Sequence, residues 1–438
     1  MKRNLLSTAV CVAALMLAGC AQGGAAATSG SSTPDDGSSS PTGTVKIWAY
    51  GSLDDAAALK ALAAGFEAKH PGVKIALQGQ PADNYYSLLQ ASLSANQGPD
   101  VFAMFPGGYQ KQFENYSVDL AGKIPQADLD AVRAQYYAAS GSTSSEVYGV
   151  PITAGMYQMF YNKKLLADVG VSSVPSDWDE LDAACQKVVA AGKTCLGYGS
   201  EDGSGSFSAI FDWSYLAAVD TLQQWNDMTI GAQPYNSPAI LEQVTRWTEL
   251  HAKGYTNPDV MTWRDVRKEF LAGNVAMIMS GSWDASWAAE GLGSDVAAAP
   301  APFSPTPIKT LIQLPDNGFS ISRDSQVQDL AVAFLDYMIS EEGQNLVSGA
   351  GQVPSRPGVA VQQSINDALL KQAQSEGWEK KPMFDNFIAP AVTDALTKGL
   401  NQALAGQITP AAALDGMDAA TKALPEKSRV NYHLGGTQ

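Results

Sequence analysis

Aromatic side chains are the residues of this chain whose chemistry points most directly to a ligand. The sequence contains nine Trp, 16 Tyr and 13 Phe. A sugar ring has an apolar face of C–H groups and a rim of hydroxyls, so a flat aromatic surface flanked by polar side chains suits it. Trp283 follows a predicted strand, and Trp213 lies in the aromatic stretch from Phe207 to Tyr215. We predict that Trp283, Trp213 and Phe207 contact a carbohydrate.

Other tryptophans are predicted to be buried, because their positions match the apolar face of a regular element. Trp247 shares a helical face with Ile240 and Val244, Trp178 lies beside a helix cap, and Trp48 lies inside a strand. The aromatic signal for a ligand therefore comes from the ends of elements rather than from aromatic content alone.

Catalytic motifs are not evident in the sequence. It shows neither a Gly-x-Gly-x-x-Gly turn after the first strand nor a phosphate-binding loop, no Ser lies in a nucleophile elbow, and the three His do not form a metal-binding spacing with Cys. Pairs of carboxylates are abundant, and glycoside hydrolases use such pairs. We predict a protein without catalytic residues, metal or cofactor, and a secreted glycoside hydrolase stays as an alternative.

The amino terminus is typical of a secretory signal. The basic pair Lys2-Arg3 precedes a short apolar run, Leu5–Gly19, which is shorter than the roughly 20 residues of a membrane-spanning helix. Its last residues, Leu17-Ala18-Gly19-Cys20, resemble a bacterial lipobox, in which the cysteine becomes the lipid-bearing first residue. We predict a signal peptide over 1–19 and lipid attachment at Cys20. An ordinary signal cleaved elsewhere, with Cys20 incidental, is the alternative.

Cysteine usage and charge restrict the remaining possibilities. Cys11 lies within the signal, which leaves Cys185 and Cys195 as a predicted disulfide outside the cytoplasm. Two free thiols or half of a metal site are the alternatives. The formal net charge of −16 disfavours nucleic acid or anionic lipid as a partner, since both are bound by clusters of Lys and Arg.

Strands and helices alternate once the low-complexity segment 20–43, a predicted flexible linker, has ended. Apolar runs at 45–49, 73–77 and 100–104 are predicted strands separated by helices, the first with Leu59, Leu62 and Phe66 on one face. This alternation predicts a parallel α/β sheet, whose ligands bind beyond the carboxyl ends of the strands. Helices dominate after residue 327.

Several stretches, in this order, resemble the extracellular solute-binding proteins of bacterial ABC importers, in the carbohydrate-binding family that includes maltose-binding protein. They are Glu67–Ile75, Gly98–Phe102, Tyr148–Pro151 with Tyr161–Lys163, Pro175–Leu181, and Gly273–Met277 continuing to Gly281-Ser282-Trp283. Each motif is loose, whereas their order and spacing are specific. The resemblance covers about residues 44–360.

The resemblance implies two α/β lobes joined by a hinge, with the ligand in the cleft between them. Lobe 1 is expected at 44–152 and 296–327, and lobe 2 at 153–295 and 328–438. Carried over by position, the cleft contacts are Tyr50, Ser52, Phe105, Gly107, Tyr157, Trp283 and, as a further candidate, Arg356. Gly155 stands where maltose-binding protein has a charged residue, which disfavours maltose itself.

The expected function is capture of an oligosaccharide and its delivery to the permease subunits of an ABC transporter. The chain is expected to act as a monomer, held by lipid at the outer face of the cytoplasmic membrane. A non-sugar solute is an alternative; Asp284 beside Trp283 keeps a polyamine in consideration. A sensor that presents sugar to a membrane receptor is another.

Overall fold

The computed structural model of the protein describes residues 42–53, 56–137, 146–199, 221–259 and 261–429. Cys20, Phe207 and Trp213 lie outside the described residues. The strands are β1 (Gly43–Tyr50), β2 (Val73–Gln80), β3 (Val101–Met104), β4 (Val150–Asn162), β5 (Thr194–Gly197), β6 (Val275–Gly281), β7 (Val296–Ala299), β8 (Thr310–Ile321) and β9 (Glu379–Lys381).

Fifteen α-helices occur in these ranges, interspersed with short 3-10 turns. The helices are α1 (Ala57–Lys69), α2 (Tyr85–Ser94), α3 (Gly108–Phe113), α4 (Gln126–Ala131), α5 (Lys163–Asp168), α6 (Trp178–Ala190), α7 (Leu222–Thr229), α8 (Pro238–Ala252), α9 (Trp263–Leu271), α10 (Ala285–Leu292), α11 (Gln328–Ile339), α12 (Glu341–Gly349), α13 (Ser364–Glu376), α14 (Pro390–Leu404) and α15 (Pro410–Ala423).

One sheet runs through the described chain in the order β2-β1-β3-β8-β4-β6-β5, with β7 paired to β4 and β9 to β8. β1 pairs in parallel with both β2 and β3, as the sequence predicts for strands separated by helices. The predicted apolar face of α1 is also confirmed, because Leu59, Leu62 and Phe66 are buried. The carboxyl ends of β1 and β3 therefore lie at one edge of the sheet, near Tyr50 and Phe105.

Two long strands connect two hydrophobic cores. β4 and β8 pair antiparallel, with Thr153 opposite Asp316 and Gly155 opposite Leu314. The early part of β4 packs in a first core together with β1–β3, and its later part, from Tyr157, packs in a second core. The strand pair thus crosses from one lobe to the other within a few residues.

The core packing differs from the lobe boundaries expected from the sequence. Helices α11 and α12 bury Leu330, Phe334 and Val347 in the first core, although residues after 327 were assigned to lobe 2. Conversely, Phe303 and Leu314 belong to the second core, although 296–327 was assigned to lobe 1. The reason is that β8 begins in the second lobe and ends in the first. Helices α11 and α12, which follow it, then pack in the first core. Helices α14 and α15 pack in the second core.

Helix α6 and strand β5 are covalently joined in the second core. Asp177 caps α6 by accepting a hydrogen bond from the backbone N–H of Glu180 at 2.9 Å. Cys185 of α6 and Cys195 of β5 form the predicted disulfide, and both are fully buried. The bond closes a short loop and so restricts the unfolded chain.

Removal of this disulfide is expected to destabilise the protein. A Cys185→Ala/Cys195→Ala variant should lose about 2–3 kcal/mol of unfolding free energy, because a loop of this length loses a modest amount of closure entropy when it is cross-linked. Urea denaturation followed by tryptophan fluorescence measures the change. Reductant should shift the transition of the parent protein and leave that of the variant where it is; an equal shift in both would contradict the assignment.

Candidate functional site

Five aromatic side chains, which we call the first aromatic cluster, gather at the carboxyl edge of the first lobe's sheet. Tyr50, at the end of β1, lies 5.2 Å from Phe105 after β3 and 5.4 Å from Tyr85 of α2, measured between ring centroids. Tyr86 and Tyr109 complete the cluster and stack on each other at 4.3 Å. Tyr50 is 37% exposed, so it presents its ring to solvent on top of the others.

Hydrogen bonds fix the buried members of this cluster. The hydroxyl of Tyr85 donates to the carbonyl of Ala103 at 2.9 Å, and the backbone N–H of Phe105 donates to the hydroxyl oxygen of Tyr86 at 3.3 Å. Burial raises the pKa of Tyr85 and of Tyr86 well above the ordinary tyrosine value, so both hydroxyls stay neutral. The cluster is therefore a fixed, uncharged aromatic surface.

A second aromatic pair lies in the other lobe. Trp283 is carried by the 3-10 turn Ser282–Asp284 at the end of β6, and its ring meets that of Tyr157 edge to face at 5.6 Å. Tyr157 lies on β4 opposite Gly281. The Tyr157 hydroxyl donates to Oδ2 of Asp385 at 2.9 Å. The structure thus brings together two of the predicted site residues and adds a carboxylate that the sequence analysis did not identify.

Asp284 holds the turn that carries Trp283. Its Oδ2 accepts a hydrogen bond from the Ser280 hydroxyl at 2.5 Å, and its Oδ1 lies 3.4 Å from the guanidinium of Arg267. Arg267 in turn lies over the ring of Trp287 at 4.2 Å. Asp284 is 5% exposed, so these contacts favour a positioning role over the ligand contact predicted for it.

Contacts from two further elements hold the same turn. The backbone N–H of Met156 donates to the Ser282 hydroxyl at 3.2 Å, and the side chain of Asn366 donates to the Ser282 carbonyl at 3.0 Å. Trp283 therefore projects from a turn that is tied to β4 and to α13.

The loop after β3 contacts the other lobe directly. Gly107 has φ +75°, and a Cβ there would collide with the carbonyl oxygen of Asn386; a Cβ on Gly108 would lie 2.5 Å from the carbonyl oxygen of Ile388. Phe387 and Ile388 belong to the second core. Gly107, predicted as a ligand contact, instead receives the backbone of the second lobe. Ser52 is exposed beside Tyr50.

Arg356 is engaged within the first lobe. Its guanidinium lies 2.9 Å from the Asp128 carboxylate and donates to the carbonyl oxygen of Ile339 at 3.0 Å. These contacts tie the segment after α12 to α4 and to the end of α11. They favour a structural role over the ligand contact predicted for Arg356.

Three residues near the site, Tyr86, Tyr109 and Asp385, were not predicted from the sequence, and only the fold brings them there. Tyr86 and Tyr109 lie at the starts of the helices that follow β2 and β3, and an aromatic residue at the end of an element is the kind of signal that predicted Trp283. Asp385 lies far along the chain, in the Phe384–Phe387 turn. Its position between two phenylalanines is the only sequence signal that could have identified it. Within the described ranges, no cluster of three or more His, Cys, Asp or Glu side chains could hold a metal ion.

A side chain at position 107 is expected to separate the lobes. Gly107→Ala should lose about 1–2 kcal/mol of stability from its left-handed backbone and should also increase the radius of gyration, because its Cβ meets the Asn386 carbonyl. Small-angle X-ray scattering measures this. Gly122→Ala is the matched control, since Gly122 has φ +74° and nothing within 4 Å of its Cβ position. An unchanged radius for Gly107→Ala would mean that the loop absorbs the clash locally.

Known proteins share this fold and part of this sequence. The chain is 25% identical over 223 residues to a binding protein of Brucella abortus (strain 2308), and 25% identical over 236 residues to the multiple sugar-binding protein of Streptococcus mutans serotype c. These alignments cover 49% and 52% of this chain and 52% and 54% of the relatives. The chain thus spans about half the length of the curated relatives it matches.

The solved structure of a chitin oligosaccharide binding protein superposes with a TM-score of 0.74 at 22% identity, over 87% of this chain and 98% of that one. This likeness confirms the two-lobe α/β fold predicted from the sequence. The model of one family, described as bacterial extracellular solute-binding protein, matches residues 50–345. Because that match covers more than half of the chain, the protein belongs to the family of bacterial extracellular solute-binding proteins.

Proposed function

We propose that this protein captures a carbohydrate, specifically an oligosaccharide, outside the cell and delivers it to the permease of an ABC transporter. The observation that carries the proposal is the presence of aromatic rings from both lobes at one junction. A chain of neighbours links them: Tyr157 donates to Asp385, the next residue Asn386 covers Gly107, and Phe105 lies two residues before Gly107. Closing the lobes therefore brings both aromatic groups toward one space.

The chemistry of the junction suits a sugar. Tyr50 offers a partly exposed ring in the first lobe, and Trp283 offers one in the second. Burial raises the pKa of Tyr109, and the nearby Tyr50, Asp385 and Asp394 act in the same direction, so the Asp385 carboxylate acts on the first aromatic cluster. Rings that stack on C–H faces and a carboxylate that accepts from hydroxyls are the two kinds of contact a sugar uses.

The names of similar proteins also support a carbohydrate as the ligand. Their names describe a multiple sugar-binding protein and a chitin oligosaccharide binding protein. Family membership supports binding rather than catalysis and supports association with an ABC transporter.

A thermal-shift screen of the purified protein tests the ligand class. Mono-, di- and oligosaccharides are compared with amino acids, polyamines and polyol phosphates. A ligand at 100 times its dissociation constant should stabilise the folded state by about 2.7 kcal/mol. A shift with one sugar class, with intact sugar recovered, supports the proposal. A shift with polyamine alone would replace sugar by polyamine, and recovery of cleaved sugar would indicate a glycoside hydrolase.

Trp283 is expected to contribute more to binding than to stability. Trp283→Ala should raise the dissociation constant of the sugar found in the screen by roughly 30-fold, which corresponds to about 2 kcal/mol for a central aromatic contact. Isothermal titration calorimetry measures it. Trp378→Ala is the control, because Trp378 is also half-buried and packs with another apolar cluster, beside α13. Equal losses in both variants would mean that Trp283 acts through the fold.

We further propose that Cys20 carries lipid and holds the protein, as a monomer, at the outer face of the cytoplasmic membrane. Among the described residues no helix has the length and apolar character to span a bilayer. A Cys20→Ala variant expressed in a bacterial host should leave the membrane fraction for the soluble fraction or accumulate as uncut precursor. Labelling with a radioactive fatty acid should mark the parent and not the variant; labelling of both would contradict attachment at Cys20.

A further inference from the structure

A buried acid that forms no salt bridge among the described residues lies where the two lobes meet. Asp316 is on β8 opposite Thr153, at the point where the strand pair passes from the second core to the first. On either side of Asp316 along β8, Leu314 packs in the second core and Phe319 packs in the first. The residue is 4% exposed. A movement of one lobe against the other must therefore change the surroundings of this side chain.

Groups from both lobes enclose the Asp316 carboxyl. From the first lobe, the phenol of Tyr137 lies beneath Gly318 and senses the charge of Asp316. From the second lobe come Asp385, whose charge acts on Asp316, and Met383. A Cβ built on Gly155 of β4 would lie 2.9 Å from Oδ2 of Asp316 and 3.4 Å from the Met383 methyl, so the acid and the second-lobe segment meet at this strand.

The carboxyl has little to stabilise a negative charge. The nearby backbone N–H of Asn317 favours the charged form, whereas Oδ1 has no hydrogen-bond partner among the described residues. No Lys, Arg or His of the described chain forms a salt bridge with it; the charged group facing it is another carboxylate, Asp385. Burial raises the pKa of Asp316 from 3.8 to about 7, and Asp385 adds to that effect.

We propose that closing of the two lobes is coupled to protonation of Asp316, so that the closed junction takes up one proton that the open form releases. Opening withdraws Met383 and Asp385, lets water reach the carboxyl and restores its ordinary acidity. The proposal rests on the lobe closure that the proposed function requires, but it concerns the hinge and not the sugar.

The sign follows from linkage. A group that binds its proton more tightly in the closed form favours closure below its closed-form pKa, and this preference declines as the pH rises from the ordinary value of 3.8 through about 7. Across that interval the closed-to-open ratio should fall by up to about tenfold per pH unit and then level off above pH 7.

Small-angle X-ray scattering of the purified protein without sugar tests the coupling directly. We expect the radius of gyration to increase between pH 5 and pH 8 and that of Asp316→Asn to stay constant, because asparagine keeps the shape and loses the charge. Asp336→Asn is the matched control: Asp336 is a half-buried acid of α11 whose pKa is also raised by burial, near Asp128 and Arg356 of the same lobe. It should respond to pH as the parent does.

Three outcomes would overturn the proposal: no change of radius with pH in the parent, a change that persists in Asp316→Asn, or a change abolished equally by Asp336→Asn. The first outcome is tested by the radius of gyration of the parent protein across the pH range, so it can be decided even if a variant fails to fold. Titration of the sugar found in the screen should show affinity that weakens by up to about tenfold per pH unit in the parent and not in Asp316→Asn. Failure to find any sugar would count against the proposed function and leave the scattering result to decide on Asp316.

Discussion

The antiparallel pairing of β4 with β8 is the constraint on which the rest of this structure depends. Each strand contributes side chains to both cores, so the lobes share one continuous hydrogen-bonded sheet at their junction. Such a ladder can bend or twist over a few residues at little cost, whereas its strands cannot slip without exposing the wrong faces. A rotation of one lobe against the other would therefore turn about this strand pair and would change the contacts across the junction.

On one side of the junction, the two lobes meet through backbone atoms rather than through side chains. Gly107 and Gly108 admit the carbonyl oxygens of Asn386 and Ile388, which lets the second lobe approach the loop after β3 closely. That approach also places Asp385 near the first aromatic cluster while its oxygen receives the Tyr157 hydroxyl. The two glycines thus permit the close approach of the lobes that carry the two aromatic groups.

Local patterns predicted the elements that depend on local sequence. The β1–β3 arrangement, the buried face of α1 and the Cys185–Cys195 bond follow from alternation, helical period and cysteine count. Helix α11 packs in the first core although the predicted boundary at 327 places it in lobe 2, because helical periodicity does not reveal which core a helix packs against. The ion pair of Arg356 with Asp128 could not be predicted from the sequence, because Asp128 lies over 200 residues earlier in the chain.

Asp316 shows why a buried acid at a hinge escapes sequence reading yet matters physically. In Leu314-Pro315-Asp316-Asn317-Gly318 it resembles an ordinary turn residue, and only the fold shows that both lobes cover it. The proposed aromatic contacts should vary little with pH, since the buried Tyr85 and Tyr86 have raised pKa values. The carboxyl, by contrast, opposes closure increasingly as it ionises. In the proposed binding mode, the aromatic rings therefore set the affinity, and the Asp316 carboxyl sets its pH dependence.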